Sequence, residues 1–257
     1  MENLLNETTF EEHIAKCLAN SDLYNQRSSA QFDVEKLCDA EMLEQFLRQQ
    51  TVVWTKLSKR FPGQEVATVI REYNKRLDRG ESILTIMRKG FTVSGAKVKF
   101  CQFKPVLEGE STDNYRLYRA NRFSIVRHMR YSMGEDSGYK LDMCILLNGI
   151  PLFTFELKNE GTDQNYTHGI YQYKNNRDPQ NRMLRNCLVH FVMDNQYVFM
   201  TTKLNGEETS FLPFNREAVN PPIEDEYPVA YMWQNILQSR LIARYSRKLH
   251  QAIRGKL

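Results

Sequence analysis

The chain has 257 residues, 41% of them hydrophobic and 26% charged, with a net charge of +4. That length can bury a substantial core, and the composition is that of a soluble globular protein, which excludes a disordered or fibrous chain. No apolar stretch approaches a membrane span, and Met1–Glu7 lacks the basic region and apolar core of a signal peptide, so a cytoplasmic protein with no membrane partner is expected.

The mild positive charge permits nucleic-acid binding without establishing it. A first helix is expected to start near Thr8-Thr9, with Glu11 and Glu12 in its opening turns. Phe10, Ile14 and Leu18 recur at helical spacing and form its buried stripe. Residues 39–50, 64–77 and 81–89 read as further helices, so the stretch from about 20 to 95 is expected to be a helical elaboration. A strand is expected over Arg122–Tyr131, followed by a pair of apolar strands, a crossing helix over Thr162–Lys174, and strands over Cys187–Met193 and Tyr197–Leu204. Pro221-Pro222 marks a loop, and Met232–Arg254 reads as helical. The order predicts an α/β or α+β fold, a mixed central sheet flanked by helices. The five cysteines are widely separated, with no Cys-x-x-Cys pair and no metal spacing with the five histidines. They read as free thiols.

The most informative segment is the apolar strand pair Lys140–Leu147 and Pro151–Lys158 around Asn148-Gly149. It carries Asp142, Glu156 and Lys158, and charges are depleted in strands and rarely buried without partners. Asn-Gly between apolar runs signals a hairpin. A three-residue loop, Asn148 to Ile150, would set Asp142 opposite Glu156 with Lys158 on the same face. A two-residue loop would send Asp142 to the other face. Clustered carboxylates suit a hard divalent cation such as Mg²⁺, with the Leu157 carbonyl as a further oxygen ligand. Such an ion activates water and stabilises charge on a phosphate, with Lys158 orienting that water or neutralising the charge. The competing reading is a cross-strand salt bridge on a wet face.

Asp142, thirteen intervening residues, then Glu156-Leu157-Lys158 resembles the PD-(D/E)XK nuclease signature. The run from Leu147 to Leu152 leading into Glu156–Asn159 resembles the N-terminal part of the restriction (R) subunit of type I restriction-modification enzymes. Phe10–Ile14, Tyr118–Arg122, Tyr173–Pro179, Leu188–Phe191, Tyr197–Leu204 and Phe211–Asn215 are similar to further blocks of that family, in order. The resemblance covers about residues 8 to 238, as one nuclease domain (1–238) with its catalytic core at about 115–205. It implies Mg²⁺-dependent cleavage of double-stranded DNA by Asp142, Glu156 and Lys158. Asp142, Glu156 and the Leu157 carbonyl would hold the metal. Glu11 would be the acid that the opening helix presents to the site, or else a helix-start charge. The family's Gln-x-x-x-Tyr motif is matched at Tyr173, but Gly169 holds the Gln position. Tyr173 is expected to contact DNA, with Gln172 a possible substitute on a different helical azimuth.

The implied partners are DNA and the modification and specificity subunits of a type I complex. The R subunit's ATP-driven motor is expected only in the full-length subunit, since no Gly-x-x-x-x-Gly-Lys-[Ser/Thr] loop is present here. Residues 239–257 carry six Lys or Arg and no acid. They read as a basic helical tail or a fragment end. Two other functions stand beside the nuclease. One is a non-catalytic module that keeps the fold and docks on subunits or DNA. The other, more remote, is a generic metal-dependent phosphoesterase.

Overall fold

The computed structural model describes residues 7–105, 109–133, 140–159 and 163–238. Helix α1 (Glu7–Ala19) buries Phe10, Ile14 and Leu18, the stripe their spacing predicts. A short strand, β1 (Tyr24–Arg27), follows; four residues with two polar side chains at its centre gave no strand signal in the sequence. The Asp39 carboxylate caps α2 (Ala40–Arg48) by accepting the Met42 N–H at 3.2 Å, and it also receives Arg27 Nε at 2.8 Å. Three more helices complete the insertion: α3 (Thr51–Arg60), α4 (Glu65–Asp78) and α5 (Ile83–Lys89). The expectation missed α3, whose Thr51-Val52-Val53 opening has low helix propensity. A small hairpin, β2 (Phe91–Val93) and β3 (Ala96–Val98), and a short helix, α6 (Asp113–Arg119), precede the core.

The core is a seven-stranded mixed sheet. Its long strands are β4 (Phe123–Arg130), β5 (Lys140–Leu147) and β6 (Ile150–Leu157), and β7 (Val189–Met193), β8 (Val198–Thr201) and β9 (Leu212–Pro213) extend it. The order is β1-β4-β5-β6-β7-β8-β9, with β1 parallel to β4 and β6 parallel to β7. The β6-to-β7 crossover contains helix α7 (Tyr166–Tyr171), which runs into a π-helical turn over Gln172–Asn176. This is the mixed sheet with helical cover that the pattern predicts. The crossing helix, expected over Thr162–Lys174, is capped by Asn165 and begins at Tyr166. Of the helix expected over Met232–Arg254, the described residues show a π-helical turn at Met232–Ile236; the rest of it, with the expected basic tail at 239–257, lies outside the described residues.

The β5–β6 hairpin departs from the expected three-residue loop. Leu147 pairs with Ile150, so the turn is Asn148-Gly149, both with positive φ (49° and 83°). That is the backbone a two-residue type I′ turn requires. Asn148 is buried and fully engaged: its Oδ1 accepts the Arg122 N–H at 2.8 Å, and its Nδ2 donates to Phe100 O (2.9 Å) and Asn121 Oδ1 (3.0 Å). A Cβ on Gly149 would stand 2.2 Å from the Asp39 carbonyl oxygen, so only glycine fits against the start of α2.

Such a turn alone would put Asp142 and Glu156 on opposite faces. The register then shifts. Leu146 pairs with Pro151 but Ile145 pairs with Phe153, leaving Leu152 as the extra residue of a β-bulge. Beyond it Cys144 faces Thr154 and Met143 faces Phe155. One further step sets Asp142 across from Glu156.

Candidate active site

Asp142 and Glu156 therefore project from neighbouring strands to one face, with Lys158 two residues beyond Glu156. Asp142 Oδ2 accepts the Leu157 N–H at 2.6 Å and lies 3.3 Å from Lys158 Nζ. The same ammonium donates to the Leu157 carbonyl oxygen at 2.9 Å, and the Lys158 N–H donates to Met193 O at 2.8 Å. Lys158 thus stands between two of the predicted oxygen ligands. The Asp142 side chain keeps 21% exposure, whereas Glu156 has none.

Burial of Glu156 is the dominant electrostatic feature. Loss of water pushes its carboxyl up to about 8, and the charge of Asp142 adds to that; Arg177 and Lys158 oppose it without cancelling it. Arg177 donates to Glu156 Oε1 from both Nε (2.9 Å) and Nη2 (2.7 Å), and Nη2 also reaches Lys140 O at 2.9 Å. Burial by itself lowers the Arg177 pKa, but Glu156 and its neighbours hold it above its ordinary value. Glu156 Oε2 is buried with no hydrogen-bond partner among the described residues. One carboxylate oxygen is clamped and the other is left open.

The packing around Glu156 explains the missing Gln. Gly169 of α7 lies directly over it: a Cβ there would meet Val192 Cγ1 at 2.7 Å and Glu156 Cβ at 3.5 Å. The helix approaches the sheet too closely for a side chain at that position.

The residue expected to contact DNA is placed differently. Tyr173 is fully buried. Its hydroxyl bonds Thr154 Oγ1 at 2.7 Å, and Thr154 Oγ1 in turn lies 2.7 Å from His190 Nδ1. Burial drives His190 down to about 3, so its ring is neutral. Tyr173 is a core residue of the layer behind Glu156, with no surface for DNA to reach. Gln172 is half-buried, and its Oε1 is a buried acceptor with no partner among the described residues. Glu11 is buried on α1, with Arg127 Nε at 3.2 Å and His128 Nε2 at 3.8 Å from its Oε2. Arg127 pairs with Met143, so it projects to the face opposite Asp142. These named contacts tie Glu11 to β4.

Sequence reasoning missed Arg177. Its only signal was a place in the Tyr173–Pro179 block, where an arginine just past a helix end reads as a surface charge.

Asp142, Glu156 and the Leu157 carbonyl form an all-oxygen donor set suited to a hard divalent cation. Glu156 Oε2, buried and without a hydrogen-bond partner among the described residues, belongs to that set. Among the described residues no helix is long and apolar enough to cross a membrane. No curated protein matches the chain. A family model does: the one described as type I restriction enzyme R protein N terminus matches residues 6–209.

Proposed function

The chain belongs to the type I restriction enzyme R protein N-terminal family, and from that footing we propose that it is a Mg²⁺-dependent endonuclease domain acting on unmodified double-stranded DNA. The observation that carries the reading is the buried, unpartnered Glu156 Oε2 on the same face as Asp142, with Lys158 Nζ touching Asp142 Oδ2 and Leu157 O. A buried carboxylate oxygen without a partner is costly unless a ligand completes it.

Asp142, Glu156 and the Leu157 carbonyl would hold the ion. Bound there, Mg²⁺ supplies an acidified water and offsets charge on the phosphate. The remaining work belongs to the chain. Arg177 fixes Glu156 by Oε1 and leaves Oε2 without a bond among the described residues. The Leu157 N–H fixes Asp142. Lys158, whose ammonium stands beside Asp142 Oδ2 and Leu157 O, would offer it to the attacking water or to the phosphate oxygens. Glu11, engaged by Arg127, has no assigned part in this ligand set. ATP is expected to act only through the motor of the full-length subunit, and the modification and specificity subunits would be its partners in a cytoplasmic complex.

Plasmid cleavage with Mg²⁺, by the chain assembled with its motor and partner subunits, tests the proposal. Asp142→Ala and Lys158→Ala should each lose cutting by at least about 100-fold. Equal cutting by all three proteins would remove the assignment. A second reading is a docking module that keeps the fold without cutting. It is favoured by Glu156 being fully buried and already paired with Arg177. A pull-down of partner subunits that survives Asp142→Ala, with no cleavage by the wild type, would select it.

A further inference from the structure

We propose a second metal site, for Zn²⁺, formed by His13, Cys17 and Glu226 and independent of the hairpin. Contrary to the expectation that no cysteine stands at metal spacing from a histidine, His13 and Cys17 are four residues apart on α1, so they share one face of the helix. Glu226 arrives from a distant loop. Cys17 Sγ lies 3.5 Å from His13 Nε2, and His13 Nε2 lies 2.9 Å from Glu226 Oε1. The three donor atoms all fall within 4.8 Å of one another.

Two of the three separations suit a metal almost as they stand. Tetrahedral Zn²⁺ with Zn–N of about 2.0 Å and Zn–S of about 2.3 Å places the nitrogen and sulfur about 3.5 Å apart. The observed distance meets that without movement. The His13–Glu226 separation needs only to open by a few tenths of an ångström, exchanging a hydrogen bond for two bonds to the ion. The donors also select the ion. Imidazole, thiolate and a single carboxylate suit Zn²⁺, whereas Mg²⁺ favours oxygen alone.

The site is built rather than incidental to a mobile surface. The His13 ring is held edge-on by Tyr227 and Trp233, with centroids at 5.3 and 5.5 Å. Glu226 Oε1 accepts the Tyr227 N–H at 2.9 Å, and a bridge joins Glu226 to Ile223. His13 and Glu226 keep 29% and 18% side-chain exposure, which leaves the fourth position to water. Bound there, the ion fastens the helix that carries Glu11 to the chain segment that covers it. The cost is loss of a proton from the Cys17 thiol to solvent.

Co²⁺ titrated into the full chain in saturating Mg²⁺ tests this, because a thiolate-to-cobalt absorption band reports the sulfur directly. The other four cysteines are buried, so the band reports Cys17. One equivalent should produce it, added Zn²⁺ should erase it, and Cys17→Ser should abolish it. His13→Ala should weaken binding at least about 10-fold, while Asp142→Ala should leave the band intact. Absence of the band in the wild type, or its survival in Cys17→Ser, would overturn the proposal and leave the trio as an ion pair beside a thiol.

Discussion

Glu156→Gln isolates the electrostatics of the candidate site. In the folded protein this carboxyl is pushed up to about 8 from an ordinary 4.5, chiefly by burial. The folded state therefore binds a proton more tightly than the unfolded state. The stability this confers is complete below about pH 4.5 and is lost as pH rises towards 8. At about 1.4 kcal/mol per pH unit over about three units, the metal-free wild type should lose about 4 kcal/mol across that window. Gln keeps the shape and an acceptor for Arg177 but cannot ionise. The two proteins should be close in stability at pH 5, and the variant should be the more stable by about 4 kcal/mol at pH 8. Urea unfolding in chelator at pH 5, 6, 7 and 8 measures this directly. With m near ~3 kcal/mol/M, the midpoints should separate by about 1 M. Other titrating groups cancel in the difference. Parallel midpoints at all four values would mean that Arg177 keeps Glu156 ionised throughout, and the argument from burial would fail.

Two further perturbations probe its surroundings. Arg177→Met removes both bonds to Glu156 Oε1 and the bond to Lys140 O, and should cost about 2–4 kcal/mol at pH 6. With the guanidinium gone, Glu156 should titrate still higher, so the gap between Glu156 and Gln should go on growing above pH 8 where it levels off in the Arg177 background, which extending the urea series to pH 9 would show. Gly169→Ala drives a methyl to 2.7 Å from Val192 Cγ1 and should cost about 1–3 kcal/mol, seen as a lower thermal midpoint; an unchanged midpoint would mean that α7 can lift from the sheet.

Sequence periodicity carried the architecture where local pattern and tertiary packing agree. Phe10, Ile14 and Leu18 marked α1, and the apolar runs marked β5, β6 and β7, because each element buries a face of its own period. Tyr24–Arg27 could not be read that way. Its strand exists because β4 offers a parallel edge, with Tyr24 beside Phe123 and Arg27 beside Val126. The hairpin shows the same division. Its strands and its Asn-Gly turn are legible in the sequence, and so is the placing of Asp142 across from Glu156, but the turn and bulge that produce it are not. An odd-length loop was expected, whereas the chain uses a two-residue turn and a bulge. No residue type at Leu152 announces a bulge. Tyr173 and Arg177 were opaque for a related reason. A helix that presses a glycine onto the sheet also carries its tyrosine inward, and burial of an arginine depends on the carboxylate waiting for it.

The bulge gives this hairpin one residue of spare length. Removing Leu152 would let Ile145 meet Phe153 in an unbroken ladder after the Leu146–Pro151 pair. Every other side chain of β6 would keep its face, at the loss of the Leu188 N–H bond to Leu152 O and of the local twist. Removing Thr154 instead would force residues between the bulge and Glu156 to change sides, or would carry Glu156 itself into the opposite layer. The same parity governs the turn: in a chain of unchanged length, a turn that takes in Ile150 and sets Leu147 opposite Pro151 keeps the two acids in phase only if the bulge is given up. Turn length and bulge are thus interchangeable, and a chain of this architecture can drift in loop length while the two carboxylates stay together.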